Sequence, residues 1–255
     1  MNDTSWGKVA KWYDSHLKDD QSYHAKVILP GIQRLIGEVS GKKILDLACG
    51  QGYFSRAISN RGGAVTGVDI SKELISIAEK IKSKNKINYF VSPSHDLYML
   101  RNNECDVVVC ILALQNIENI AGTFKEIKRV LRKGGKFIFI LNHPAFRIPK
   151  ESSWVFDDKT SKQFRRIDSY LSEAKIKIDM SPGTKDDRSK DKKYTISFHR
   201  PLQYWAKALN KEGFYISRME EWISHKESGK GRRQKAENKA RKEIPLFLAV
   251  ETVQL

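Results

Sequence analysis

Short apolar runs alternate with longer stretches in which apolar residues recur every three or four positions, from about residue 42 onward. The runs predict five strands, at 43–48, 64–69, 87–91, 106–112 and 136–141. The longer stretches predict three helices: 53–63, one from an N-cap at Ser71 to Lys82, and one from Ile120 to the glycine pair 134–135. Strands that alternate with helices are typical of βαβ units, so the pattern predicts an α/β fold with a parallel sheet.

The flanking segments have a different pattern. Residues 1–37 are predicted to be helical, whereas residues 143–193 are rich in proline and polar residues and contain SPGTKDDRSKDKK, which predicts a mobile loop. Later segments return to regular patterns. They predict a strand at 194–200, a helix from Pro201 to Gly213, two more strands at 214–222 and 245–253, and between those a loop followed by an exposed helix.

Composition narrows the class of protein. A chain of 255 residues that is 40% hydrophobic and 30% charged is typical of a soluble globular protein with one elaborated α/β core, although two small domains also fit this length. We find no apolar stretch long enough to cross a bilayer and no apolar signal core near the N-terminus, so we expect a cytoplasmic protein. Cys49, Cys105 and Cys110 lack metal-site spacing and lie in or beside apolar runs, which favours buried reduced thiols.

The net charge of +16 is open to two interpretations. A strongly positive surface attracts phosphates, as in nucleic-acid-binding proteins. The lysines are, however, spread through nearly every segment, as compositional drift also produces. The densest basic stretch, residues 229–242, contains no aromatic residue on which single-stranded RNA could stack its bases.

The stretch ILDLACGQGYF, residues 44–54, carries the chemistry of the predicted first strand. A glycine-rich turn between a strand and a helix presents backbone N–H groups, and Gly50 and Gly52 allow a ligand to approach the main chain closely. Asp46 would repel a pyrophosphate but suits an ammonium group. Asp69, at the end of the second strand, can accept bonds from both hydroxyls of a ribose. Together these residues predict a site for a nucleoside with a cationic amino-acid arm.

At these residues the sequence resembles the class I S-adenosylmethionine-dependent methyltransferases, especially small-molecule members such as the ubiquinone-biosynthesis type. The resemblance covers about residues 42–142: DLACGQG matches the family's first motif, GVDIS its ribose motif, and RVLRKGGKFIFIL its later helix, turn and strand. It implies S-adenosyl-L-methionine as cofactor and S-adenosyl-L-homocysteine as product, and no metal. The cofactor-binding residues that we assign are Tyr13, Asp46, Ala48, Gly50, Gly52, Asp69, Ile70, Ser71, Ser94, Asp96 and Ile111.

Two positions depart from the family pattern, and both affect the assignment of roles. Where relatives carry an acidic residue near the adenine, this chain has Pro93, so Asp96 or a backbone carbonyl is assigned that contact. Gln115 stands where many relatives carry a histidine. His143 follows the fifth strand, at the edge where ligands of open sheets bind, and is our candidate catalytic base; packing against Pro144 is the alternative.

The resemblance also implies an architecture. We expect a Rossmann-like seven-stranded methyltransferase sheet in which residues 1–41 form a helical N-terminal lid, 42–142 the cofactor-binding core, and 143–200 an inserted substrate cap. Residues 201–255 complete the sheet and carry a basic insertion at 224–244. The expected partner is a small-molecule substrate that accepts the methyl group. The alternatives are an RNA methyltransferase and a catalytically silent regulatory protein that binds the cofactor.

Overall fold

The computed structural model describes residues 19–179 and 194–254. In chain order the strands are β1 Lys43–Leu47, β2 Ala64–Asp69, β3 Asn88–Val91, β4 Cys105–Ile111, β5 Leu131–Asn142, β6 Ser152–Asp157, β7 Lys162–Ile167, β8 Ala174–Asp179, β9 Tyr194–His199, β10 Phe214–Trp222 and β11 Phe247–Gln254. The α-helices are α1 Leu29–Ile36, α2 Tyr53–Ser59, α3 Lys72–Lys80, α4 Ile120–Val130, α5 Leu202–Lys211 and α6 Gln234–Glu243. A π-helical turn, His24–Ile28, precedes α1, and a 3-10 turn, Leu114–Asn116, follows β4.

Seven strands form the central sheet in the order β10-β11-β5-β4-β1-β2-β3. Strands β1 to β5 run parallel to one another, and β11 lies antiparallel between β5 and β10. This arrangement confirms the predicted seven-stranded Rossmann-like sheet. The strand order reverses between β1 and β4, since β2 and β3 follow β1 on one side of it and β4 and β5 lie on the other.

Helices cover both faces of the sheet because its central strands are apolar on both sides. Along β4, Val108 and Cys110 face a cluster that includes residues of α4 and α5, while Val107 and Val109 face a cluster that includes residues of α1 and α2. This alternation follows the period of two along a strand. The continuous apolar run of β4 therefore fills two cores rather than one.

Two predicted helices end earlier than the sequence indicates. Helix α2 ends at Ser59 rather than at residue 63, and α4 ends at Val130, where β5 begins. The glycine pair thus lies inside β5 rather than at the helix end. Gly134 has a φ of +71°, and the pairing of β4 with β5 shifts register between Cys105 and Val107, so the glycines absorb an irregularity in the strand.

Residues 143–179, to which the sequence pattern assigned no element, contain three strands. Strands β6 and β7 form one antiparallel hairpin, and β8 pairs with β9 in a second. In β7 half-buried and exposed positions alternate, but the half-buried face carries Gln163 and Arg165 while Phe164 lies on the exposed face, so the strand lacks an apolar stripe. The predicted strand at 194–200 is β9, and the exposed helix of the basic insertion is α6. The predicted loop 181–193 and residues 1–18 of the proposed lid, with Tyr13, lie outside the described residues.

The three cysteines are buried and reduced, which confirms that prediction. Burial raises the pKa of the Cys105 thiol to about 12 and also raises that of Cys110. Within residues 19–179 and 194–254, no helix has the length and apolar character needed to span a membrane.

Candidate active site

A cavity of about 720 Å³ lies at the carboxyl ends of β1, β2 and β4. Its volume is within the usual range for sites that bind small molecules. Asp46, Asp69 and Ile111, one near the end of each strand, line it. The cavity therefore occupies the edge where the strand order reverses, which is where ligands of open α/β sheets bind.

The loop after β1 brings main-chain groups to this cavity through left-handed backbone conformations. Ala48 and Gly50 have φ angles of +57° and +56°, and both line the cavity. Gly52 begins α2 with a φ of +76°, and a Cβ atom there would overlap the phenol group of Tyr89. The second glycine of the motif is thus required by its backbone conformation and by packing.

Asp69 connects the two loops that border the cavity. Its Oδ2 accepts a hydrogen bond from the Gly50 N–H at 2.9 Å, and its Oδ1 accepts one from the Ser71 N–H at 2.8 Å. Burial raises the pKa of Asp69, and the hydrogen bonds from these N–H groups lower it by a smaller amount. A carboxylate oxygen has more than one acceptor site, so Asp69 can accept further bonds from a ligand.

Asp46 is a second buried carboxyl group in the same cavity, and it is only 2% exposed. The Ser55 hydroxyl donates a hydrogen bond to its Oδ2 at 2.5 Å. Burial raises the pKa of Asp46 to about 7, and the nearby charge of Asp69 acts in the same direction. Two adjacent acids in a poorly solvated site favour a ligand that brings positive charge and hydrogen-bond donors.

The structure brings most of the predicted cofactor residues together. Those that line the cavity are Asp46, Ala48, Gly50, Asp69, Ile70, Ser94 and Ile111. Gly52 and Ser71 do not line it and act indirectly: Gly52 starts α2, and the Ser71 hydroxyl accepts from the Leu74 N–H and so caps α3.

The structure does not support the assignment of Asp96 to the cofactor site. Its side chain is exposed and does not line the cavity, since a turn after β3 directs the chain away. The residues after β3 that do line the cavity are Ser92, Pro93, Ser94 and His95.

The structure also does not bring His143, the predicted catalytic base, to the cavity. It is 1% exposed. Its Nδ1 accepts hydrogen bonds from the N–H groups of Ala145 and Phe146, at 3.2 and 3.3 Å, so Nε2 carries the proton and donates to Glu221 at 2.7 Å. Burial lowers the pKa of His143. Both nitrogens are hydrogen-bonded, and the ring joins the end of β5 to β10, so this geometry does not support the predicted role as a base.

The wall opposite the two acids comes from segments that the sequence analysis left out of the site. Asn116, Ile117 and Glu118 follow β4, and Lys175, Ile196 and Phe198 come from the β8–β9 hairpin. The Lys175 Nζ lies 2.9 Å from Glu118 Oε1, so an ion pair joins the two segments beside the cavity. No motif marks these residues, because only the fold brings the hairpin over the strand ends.

Arg200, directly after β9, fixes the relative position of these two segments. It is 6% exposed, and its Nη2 donates to the carbonyl oxygens of Ile117 at 2.9 Å and Glu118 at 3.1 Å. Its guanidinium also lies 4.9 Å from the centre of the Phe198 ring. One buried cation thus holds both parts of the apolar wall.

Comparison with known proteins agrees with this geometry. Residues 45–139 match the family model described as a methyltransferase domain. The ubiquinone biosynthesis O-methyltransferase of Bordetella pertussis is 29% identical over 135 residues, which are 51% of this chain and 56% of that protein. The chain thus spans a little over half the length of such curated relatives.

Solved structures resemble the chain over more of its length. An S-adenosylmethionine-dependent methyltransferase from Mesorhizobium loti superimposes with a TM-score of 0.70 at 26% identity, covering 92% of this chain and 99% of that one. A second structure, from Listeria monocytogenes, has a TM-score of 0.69 at 21% identity over 89% and 97% of the two chains, and shows the shared fold. The sheet order, the glycine loop with two buried acids, and these matches show that residues 45–139 form a class I S-adenosylmethionine-dependent methyltransferase domain.

Proposed function

We propose that the protein transfers a methyl group from S-adenosylmethionine to a small-molecule acceptor. The observation that carries this proposal is the large cavity, which two buried carboxyl groups line together with residues of the β8–β9 hairpin, among them the apolar Ile196 and Phe198. One side has the chemistry for the cofactor, and the other has the shape and polarity for an organic acceptor. The ubiquinone-biosynthesis relatives act on small molecules and support the same class.

The residues of the acidic side fit the proposed cofactor. Asp69 has acceptor capacity for the ribose hydroxyls, and the left-handed turn at Ala48 and Gly50 leaves the main chain accessible to the ligand. Asp46, with its negative charge, suits the ammonium group of the amino-acid arm. Bound S-adenosylmethionine supplies an electrophilic methyl group on a sulfonium centre.

The protein's own contribution is to position the acceptor and to exclude water. Ile117, Ile196 and Phe198 offer apolar surface, and the Lys175–Glu118 ion pair joins the segments that carry them. Holding a nucleophile in a near-attack geometry is worth up to about 7 to 11 kcal/mol in favourable systems. A general base is needed only for acceptors that start protonated, and His143 does not line the cavity.

An RNA acceptor is the second candidate, favoured by the net charge of +16. Part of the basic insertion is engaged within the chain, since Arg232 lies 3.4 Å from Asp158 and Arg233 lies 4.5 Å from the centre of the Phe156 ring. These cations hold the insertion to the β6–β7 hairpin. Residues 229–242 contain no aromatic residue on which RNA bases could stack, which supports the small-molecule acceptor over RNA.

A transfer assay with radiolabelled S-adenosylmethionine on fractionated cell extract tests the proposal. We expect label to enter the small-metabolite fraction, because the apolar wall accommodates a small organic group. Label in RNA would favour the second candidate. Cofactor binding without transfer to any fraction would indicate the silent regulatory protein.

Cofactor binding is expected to release protons near neutral pH. At about pH 7 roughly half of the Asp46 carboxyl groups carry a proton, and the positive charge of the ligand favours the ionised form. Calorimetry in buffers of different ionisation enthalpy measures this release. It should disappear well above pH 7 and in the Asp46→Asn variant. Equal release from the variant and the wild type would contradict the assignment to Asp46.

A further inference from the structure

A second, smaller cavity of about 30 Å³ lies beside the main one. Phe198 lines both cavities, and Gln115, which lines the second, directly precedes Asn116, which lines the first. Asn142, Arg147 and Arg200 also line the second cavity. The second cavity thus adjoins the apolar wall, on the side away from the two acids.

Arg147 brings an uncompensated positive charge to this cavity. Its Nη1 donates to Asn142 Oδ1 at 2.6 Å, and its guanidinium lies 5.3 Å from the centre of the Phe247 ring. Among the described residues no carboxylate lies within ion-pair distance of Arg147. Burial lowers its pKa, and the nearby charge of Arg165 adds to this effect. A guanidinium has five N–H donors, so within residues 19–179 and 194–254 most of its donors have no partner and can bind a ligand.

The other polar groups of the cavity are consistent with a bound ligand. Arg200 donates to the carbonyl oxygens of Leu114, Ile117 and Glu118, so most of its N–H donors are already used within the protein. It contributes positive charge to the second cavity but few donors for a ligand. Gln115 donates its Nε2 to the Leu112 carbonyl at 2.6 Å, yet its Oε1 is buried without a hydrogen-bond partner. A buried amide oxygen without a partner is rare in folded proteins. The cavity therefore offers donors on Arg147 and one vacant acceptor on Gln115.

We propose that the second cavity binds a carboxylate of the methyl acceptor through Arg147, and that Gln115 Oε1 accepts from a hydroxyl or amino group next to that carboxylate. The acceptor is then a hydroxy or amino acid whose apolar part lies against Phe198. A carboxylate is planar and pairs with a guanidinium through two parallel bonds. The small volume favours it over the larger phosphate. The role as acceptor subsite rests on the proposed function, whereas the binding of the carboxylate does not.

Direct binding of small probes to the full chain tests this site without turnover. The probes are phenylacetate, its neutral analogue phenylacetamide, mandelate, which adds a hydroxyl next to the carboxylate, and benzylphosphonate. We expect phenylacetate to bind about ten-fold or more tightly than phenylacetamide, because only the carboxylate brings a negative charge and can accept two parallel bonds from the guanidinium. Mandelate should bind more tightly than phenylacetate, and the Gln115→Leu variant should abolish that difference.

Variants at Arg147 complete the test. Arg147→Gln should bind phenylacetate about ten-fold or more weakly and bind S-adenosylhomocysteine as the wild type does. If Arg147→Gln does not fold, Arg147→Lys keeps the charge but loses the paired bonds and should show an intermediate loss. Arg166→Gln is the matched control, because Arg166 is exposed and pairs with Asp168.

Three results would overturn the proposal. The first is equal affinity for phenylacetate and phenylacetamide, or no binding of either carboxylate. The second is wild-type affinity for phenylacetate in the Arg147 variants. The third is tighter binding of benzylphosphonate than of phenylacetate, which would indicate a phosphate site. Loss of carboxylate binding in Arg147→Gln would support the site even if the transfer assay found no methylated product, so the two proposals fail separately.

Discussion

Replacing Asp69 with alanine is expected to weaken S-adenosylmethionine binding by roughly ten- to a hundred-fold. Hydrogen bonds to a charged partner contribute about 1.5 to 3 kcal/mol, and Asp69 is placed to make such bonds to the ribose. The substitution also removes the acceptor of the Gly50 and Ser71 N–H groups, so the loop after β1 loses its fixed position. Titration calorimetry with S-adenosylmethionine measures the change.

Asp106→Ala is the matched control for this experiment. Asp106 also accepts a main-chain hydrogen bond, from the Lys43 N–H at 2.7 Å, but it lies at the start of β4, on the opposite edge of the sheet from the cavity. The control should retain the wild-type affinity for the cofactor. Unchanged affinity in a folded Asp69→Ala variant would remove Asp69 from the site.

Replacing Arg200 with methionine is expected to lower acceptor turnover by about ten-fold or more while cofactor affinity changes little. The carbonyl groups of Ile117 and Glu118 would lose their donor, and a buried polar group left unsatisfied costs about 1 to 3 kcal/mol. The wall segment after β4 would lose its buried connection to the β8–β9 hairpin and keep the exposed Lys175–Glu118 ion pair. The apolar side of the cavity would lose its shape, whereas the two acids lie on other segments.

Steady-state kinetics on the true acceptor and thermal unfolding measure these effects together. We expect a melting temperature lower by several degrees, since about 1 kcal/mol corresponds to roughly 2–4 °C in a chain of this size. Arg200→Lys keeps the charge and should recover part of the turnover. Arg166→Met, at an exposed arginine, should leave both quantities near the wild type. A wild-type KM and kcat in Arg200→Met would show that the wall does not depend on this residue.

The acidic side of the cavity could be predicted from sequence because its chemistry is local. Asp46, Gly50 and Asp69 follow directly from two strand ends and the turns after them, and parallel strands bring such ends to one edge. The details of the adenine side could not be predicted in the same way. Asp96 was misassigned because the direction of a turn after a strand depends on contacts that the strand pattern does not contain.

His143 shows that the position of a residue at the end of a strand does not determine its chemical role. The sequence correctly placed this residue at the carboxyl end of β5. Its environment depends on the Ala145 and Phe146 N–H groups and on Glu221 of β10, which fix one tautomer and occupy both ring nitrogens. Those contacts join segments far apart in the chain, so only the folded protein shows that the ring is structural.

The sequence by itself determined the alternating elements, the glycine loop and its two acids, because hydrophobic period, turn chemistry and strand ends are properties of neighbouring residues. Only the tertiary structure decided the acceptor side. The β8–β9 hairpin lines the main cavity, Arg200 holds the wall beside it, and Arg147 lines the second cavity. These positions result from packing between segments that share no sequence motif. Such packing depends on which side chains meet across the fold, and a linear pattern of polar and apolar positions does not contain that information.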